Sequence, residues 1–276
     1  MRVMTYNILN DHPKFAALPK KNWTDRKMYL LQHIQTLQPD VLAIQEGAPH
    51  QVEELLQGLS SFAYYGPQAG GGYGGEQVGI FYNEERFALL NKDTFWLSPT
   101  PEVVSKDWGA THHRICTWVQ LQERETKATF FHFNTHLEAK NKRVRAKQLQ
   151  VILQKITTLK TEEPTAAIIL TGDFNAAVSS VVYQKAVNNA YLKDAFWETK
   201  KRKNTLDYSF SGVDKAWTLD KLLLHLFYPN YMHKRLDHIF VTKEIEVATY
   251  EISNWSYGNF YPSDHWPILI EIGRLC

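Results

Sequence analysis

Ten residues constrain this chain more than any others: Ala166-Ala167-Ile168-Ile169-Leu170-Thr171-Gly172-Asp173-Phe174-Asn175. Five apolar residues in a row, bounded by a threonine and a glycine, predict a fully buried strand. In α/β proteins ligands bind beyond the carboxyl ends of such strands, because the sheet interior is packed and only the loops vary. This strand ends on the Asp173 carboxylate and, two residues later, the Asn175 amide. On an extended backbone side chains two apart point the same way, so both can face one pocket while Phe174 packs behind. Glycine, aspartate and asparagine also build ordinary turns, so this stretch alone leaves both readings open.

Other apolar runs end in the same manner. Val3-Met4-Thr5-Tyr6 runs into Asn7, and Val41-Leu42-Ala43-Ile44 runs into Gln45-Glu46. Phe130-Phe131-His132-Phe133 leads to Asn134-Thr135-His136, and Tyr261-Pro262-Ser263-Asp264-His265-Trp266-Pro267 precedes Ile268-Leu269-Ile270-Glu271-Ile272. In that order the motifs closely resemble the endonuclease/exonuclease/phosphatase superfamily, the fold of pancreatic deoxyribonuclease. The resemblance covers nearly the whole chain.

Composition sets the outer bounds. At 276 residues and 44% hydrophobic, the chain can bury a large core. A single domain over residues 1–276 is expected, since it must bring Asn7 and His265 together. A net charge of +2 is too mild to declare a nucleic-acid binder. With only Cys116 and Cys276, no disulfide framework is expected. No charged leader precedes an apolar core, and no apolar run approaches the ~20 residues that span a bilayer. A soluble, cytoplasmic monomer is the resulting expectation.

Along the chain, Thr24 is expected to cap a helix that buries Met28, Leu31, Ile34 and Leu37 and stops before Pro39. A second helix should start after Pro49. Gly70 to Gly75 reads as a mobile hairpin or rim loop, lacking the lysine and spacing of a phosphate cradle. Strands are expected over Glu76–Tyr82, Phe87–Leu97, Arg114–Leu121, Lys127–His136 and Leu236–Val241, with Trp108, His112 and His113 in a loop. Asn141 to Lys160 should form a long helix with a solvated basic face of Lys142, Arg143, Arg145 and Lys147. Residues 199–234 form a variable insert that opens with Lys200-Lys201-Arg202-Lys203. Helix-linked and helix-free strands together suggest α/β architecture with two mixed sheets packed face to face. The resemblance implies a four-layer α/β/β/α sandwich of two mixed sheets flanked by helices.

The chemistry follows from residue types. Glu46, Asp173 and neutral oxygens of Asn7 and Asn175 suit a hard divalent ion, Mg²⁺ or Mn²⁺. Cysteine is absent from every motif, which argues against a structural zinc site. The resemblance makes Glu46 the main metal ligand, assisted by Asn7 and Asp264. It has Asp237 orient His265, Asp173 position and deprotonate the attacking water, and Asn175 hold phosphoryl oxygens. His136 matches a second histidine paired with Glu76, and Arg114 a phosphate-contacting arginine. Asn134, beside His136, is expected to touch substrate. His112, His113, His132, His233 and His238 have no partner visible in sequence and read as ordinary residues.

The resemblance therefore implies a metal-dependent phosphodiesterase or nuclease. Gly47-Ala48-Pro49 after Glu46 departs from the Thr-Lys of the abasic-site repair branch. Tyr6-Asn7-Ile8-Leu9 and Asn134-Thr135-His136-Leu137 look more like the deadenylase-like and bacterial metal-hydrolase branches. The alternative is a lipid-directed phosphodiesterase or phosphatase, using the aromatic and leucine-rich stretch from Leu222 to Tyr231 against a membrane surface. A dead binding scaffold is less expected, because no expected catalytic position is missing.

Overall fold

Alternation along the first strand divides the molecule into layers. In the computed structural model, which describes residues 1–12, 22–70, 75–203, 207–210 and 234–275, β1 spans Arg2–Asn7. Val3 faces a second sheet, whereas Met4 and Tyr6 face helices. Three large buried apolar clusters result among the described residues. Leu30 and Ile34 of α1 (Trp23–Leu37) and Leu55 of α2 (Pro49–Gly58) pack on Met4 and Leu42. Val3, Val41 and Ile80 meet Val119, Ile169 and Ile239 between the sheets. Leu149, Ile152 and Ile156 of α3 (Lys142–Glu162) cover Ile168 and Leu170 on the far side. This is the four-layer α/β/β/α sandwich.

Strand direction explains where the polar residues gather. In the seven-stranded sheet β1 runs parallel to β2 (Val41–Gly47), with Asn7 beside Gln45. The antiparallel neighbours β4 (Gln77–Asn83) and β13 (Ile268–Leu275) begin where these two end. In the six-stranded sheet β7 (Thr129–His136) and β8 (Ile168–Asp173) are parallel, with His136 beside Asp173. Asp237, opening antiparallel β11 (Asp237–Val241), also lies beside Asp173. Carboxyl ends of parallel strands and amino ends of antiparallel ones thus share one edge of the sandwich.

Near that edge the layer between the sheets turns polar. Asn134 Nδ2 donates to Ile44 O (2.8 Å) and Gly79 O (3.0 Å) across the gap. Its Oδ1 accepts from Gln45 Nε2 (2.7 Å) and Thr171 Oγ1 (3.3 Å). Asn134 is fully buried, so the expected substrate contact is corrected: its amide is used in tying the two sheets together. His132 lies in the same layer, its Nε2 hydrogen-bonded to Thr171 Oγ1 at 2.9 Å.

Three local expectations also change. Asn22, not Thr24, caps α1, its oxygen accepting from Asp25 N at 2.8 Å. Met28 is 64% exposed, because α1 is turned to bury Arg26. The Arg26 guanidinium donates to the carbonyls of Ile8, Leu9 and Pro262 (2.8–2.9 Å), a demand that apolar periodicity does not register. On α3, Arg145 is buried and donates to Glu138 O and Ala139 O, leaving Lys142, Arg143 and Lys147 exposed. Among described residues no helix is long and apolar enough to cross a membrane. Residues 71–74 of the glycine-rich stretch, His233 and the whole of Leu222 to Tyr231 lie outside the described residues.

Candidate active site

The end of β2 is bent to deliver its carboxylate. Pairing with β4 shifts between Ile44 and Gly47, and Glu46 between them has φ 63°, a left-handed conformation that costs a residue with a Cβ about 1 kcal/mol or more. Glu46 Oε2 accepts from Asn10 N and Oε1 from Asn7 Nδ2, both at 3.0 Å. Asn7 Nδ2 also donates to Asp173 Oδ2 at 3.1 Å, while its Oδ1 accepts from Leu9 N. Asn7 therefore meets the carboxylates through nitrogen in this structure, and a half-turn of the amide is required before oxygen can face an ion.

Asp173 sits at the centre. Gly172 before it has φ 150°, and a Cβ there would lie 2.1 Å from Thr135 O, so only glycine lets β7 and β8 approach this closely. Asn175 follows at φ 49°, beyond the strand end, so its aim comes from a left-handed turn instead of strand alternation. Its backbone N–H donates to Asp173 Oδ1 (2.8 Å), and one side-chain N–H donates to Leu137 O (3.0 Å), leaving one amide donor.

Two histidines flank Asp173 Oδ2, His136 Nε2 at 3.5 Å and His265 Nε2 at 3.7 Å. Each turns its other nitrogen to a second carboxylate. His265 Nδ1 lies 2.7 Å from Asp237 Oδ2, and His136 Nδ1 lies 3.6 Å from Glu76 Oε2. Burial alone would depress the His265 pKa, but Asp237 and then Asp173 outweigh it and hold the imidazolium well above its ordinary range. Burial would raise Glu76, yet His136 and Arg114 outweigh it and hold the carboxyl at about 2. Arg114 NH1 donates to Glu76 Oε2 at 3.2 Å, so the guanidinium is aimed by the same carboxylate as His136.

The donor set fits a hard divalent ion. Glu46 and Asp173 share a single neutral NH₂ group between them. Ligand atoms of Glu46, His136 and Asp173 all lie within 4.8 Å of one another. Asp264 belongs to the same field: burial raises its pKa, His265 opposes, and Glu46 adds to the rise. Carboxylates crowded this way, with His136 beside them and no thiolate, suit a divalent cation.

Residues 4–265 match the Endonuclease/Exonuclease/phosphatase family. The chain belongs to that family. Its members are phosphoesterase hydrolases. A mannosyl-6-phosphatase of Bacteroides thetaiotaomicron is similar in structure, with TM-score 0.85, 28% identity and 99% of each chain covered. An uncharacterized protein of Acanthamoeba polyphaga mimivirus is 26% identical over 98% of this chain and 99% of its own length. Nocturnin of Xenopus laevis is 24% identical over 98% of this chain and 71% of its own length.

Within this Endonuclease/Exonuclease/phosphatase site, the structure adds contacts that the motifs do not state. Ser209, from the insert, donates Oγ–H to Asp237 Oδ2 at 2.6 Å and accepts from the N–H groups of Leu236 and Asp237. Its carbonyl accepts from Trp266 N, and neighbouring Phe210 packs its ring edge-on to His265 at 4.9 Å between centroids. Nothing in the local sequence around Ser209 marks it. Arg26 and Ser263 lock the first motif to the last, since Ser263 Oγ donates to Asn7 O at 2.6 Å and Arg26 binds both segments. His132 and His238 are core residues, bonded to Thr171 Oγ1 and Ala176 O.

Proposed function

We propose that this protein hydrolyses phosphoesters with the help of Mg²⁺ or Mn²⁺, by attack of water on phosphorus. The observation that carries this reading is the convergence of two carboxylate–histidine pairs on one oxygen of Asp173. Glu46, with Asn7 and Asp264, would hold the ion, which when bound polarises a phosphoryl oxygen and offsets its charge. Asp173 orients the attacking water and takes its proton, its second oxygen being pinned by Asn175 N. His265, kept protonated by Asp237, donates Nε2–H where charge develops on the phosphoryl oxygens. His136 and Arg114, both aimed by Glu76, approach from the other side, and the remaining Asn175 donor binds a phosphoryl oxygen.

Either a phosphodiester or a phosphomonoester suits this chemistry. A small substrate is favoured over a nucleic-acid polymer by the fate of the basic run. Lys200 pairs with Glu246, Lys203 pairs with Glu251 at 3.4 Å, and Arg202 stacks on Phe196 at 4.2 Å. Three of the four cations of the run are thus partnered within the chain, and exposed contacts of this kind only weaken a phosphate track. The likeness to a mannosyl-6-phosphatase points the same way.

Hydrolysis of p-nitrophenyl phosphate, its bis-ester, sugar phosphates and single-stranded RNA, with and without chelator, tests the reading. Chelator-sensitive turnover of the small esters is expected, and turnover of RNA alone would restore the nuclease. Glu46→Gln should weaken Mn²⁺ binding about tenfold or more by calorimetry, as loss of a charged ligand requires. Equal affinity would remove Glu46 from the ion.

A further inference from the structure

Beside the two histidine pairs lies a cleft of about 530 Å³ that the reaction itself does not use. That volume suits a small molecule. Its lining includes His12, Lys106, His112 and His113, and the carboxylate of Glu76 is where it meets the reacting centre. Glu76 is already matched by Arg114 and His136, so it does not neutralise the other four. The cleft is rich in N–H donors of side chains that carry, or can take up, positive charge.

These groups are held in place by a dedicated anchor. Thr111 donates from N (2.8 Å) and from Oγ1 (2.8 and 3.1 Å) to the carboxylate of Glu138, a fully buried residue just beyond β7. Lys106 Nζ in turn donates to Thr111 O at 3.3 Å. The loop that carries Lys106, His112 and His113 is thereby fixed to the six-stranded sheet. Lys140 N also donates to the Glu138 carboxylate, which is thereby held in the loop junction.

Resting on the phosphoesterase reading above, we infer that this cleft receives a second phosphoryl group of a small substrate whose first is attacked beside Asp173. A phosphoryl dianion offers the acceptor oxygens that clustered lysine and histidine donors match. The substrate is then a compact scaffold bearing two phosphoryl groups, one on each side of Glu76.

The test compares the wild type with Lys106→Ala/His113→Ala, which leaves the reacting centre intact. A sugar bisphosphate and its matching monophosphate are assayed with Mg²⁺ or Mn²⁺, and pyrophosphate binding to the metal-free protein is measured by calorimetry. The wild type should prefer the bisphosphate in kcat/KM by about tenfold, the scale of one lost charged hydrogen bond. The double variant should lose that preference while turning over the monophosphate normally, and should bind pyrophosphate about tenfold more weakly. Turnover without preference, or pyrophosphate affinity indifferent to the two substitutions, overturns the inference. If no phosphoester is hydrolysed while pyrophosphate binding still depends on Lys106 and His113, the catalytic reading falls and the anion cleft stands.

Discussion

The two carboxylate–histidine pairs look alike in sequence and differ in the fold. Asp237 and His265 are both buried, 2.7 Å apart, and braced by the Ser209 hydroxyl. Glu76 and His136 are 3.6 Å apart, outside hydrogen-bond range, and Glu76 shares its oxygen with Arg114 while keeping 32% of its side chain exposed. The first pair fixes a ring and its charge before substrate arrives. The second is looser and more exposed, and it borders the cleft of Lys106 and His113. One histidine is held by a close, buried carboxylate, and the other is not.

The largest effect should come from the built pair. His265→Ala and Asp237→Asn should each lower kcat about a thousandfold with a smaller change in KM. Their combination should lose little more than either alone, because the pair acts as a unit. Full additivity in that kinetic cycle would separate Asp237 from His265 and end the comparison. Glu76→Gln should cost less, about thirtyfold in kcat, and should raise KM as well, since it frees both His136 and Arg114. Loss equal to that of Asp237→Asn would show the two pairs to be equivalent after all.

Ser209→Ala should lower kcat only several-fold, the scale of one neutral hydrogen bond on a buried carboxylate. An Asp237→Asn background should erase that effect. If Ser209→Ala still slowed the asparagine variant, Ser209 would act elsewhere than through Asp237.

Histidines with no carboxylate partner supply the contrast on stability. Burial depresses the pKa of His132 to about 3 and of His33 and His238 to about 4. They fold neutral and titrate near their usual ~6.5 when unfolded. Stability from this source is complete above pH ~6.5 and is lost as pH falls toward the folded values, about 3 kcal/mol each for His33 and His238 and about 5 kcal/mol for His132. The thermal midpoint should therefore drop by roughly 10 °C between pH 7.5 and pH 5. A flat midpoint across that window would mean these rings are not held neutral.

Much of the site was legible because its chemistry sits at strand ends. Asn7, Glu46, His136, Asp173 and Asp237 each close or open an apolar run, and sheet direction gathers such positions on one edge. Asn134 was misread for the same reason. It stands among functional residues in its motif, yet its side chain faces the opposite sheet, where an unpaired amide would be costly. Short elements were not legible either: β9 (Lys193–Asp194) and β10 (Lys201–Arg202) have two residues each, too few for any periodicity.

Sequence by itself determined the layered α/β sandwich, the edge that carries the chemistry and the carboxylate–histidine partners. Residue type and period, local properties of the chain, mark the mixed sheets and the polar strand ends, and the family resemblance supplied the layer order and the partners. Only the tertiary structure decided that Asn134 and Arg26 are structural, that Ser209 braces Asp237, and that one pair is tight and the other open. Contacts between residues 28 to 236 positions apart set those outcomes. Distance and orientation across such separations are fixed by packing, and no pattern along the chain encodes them.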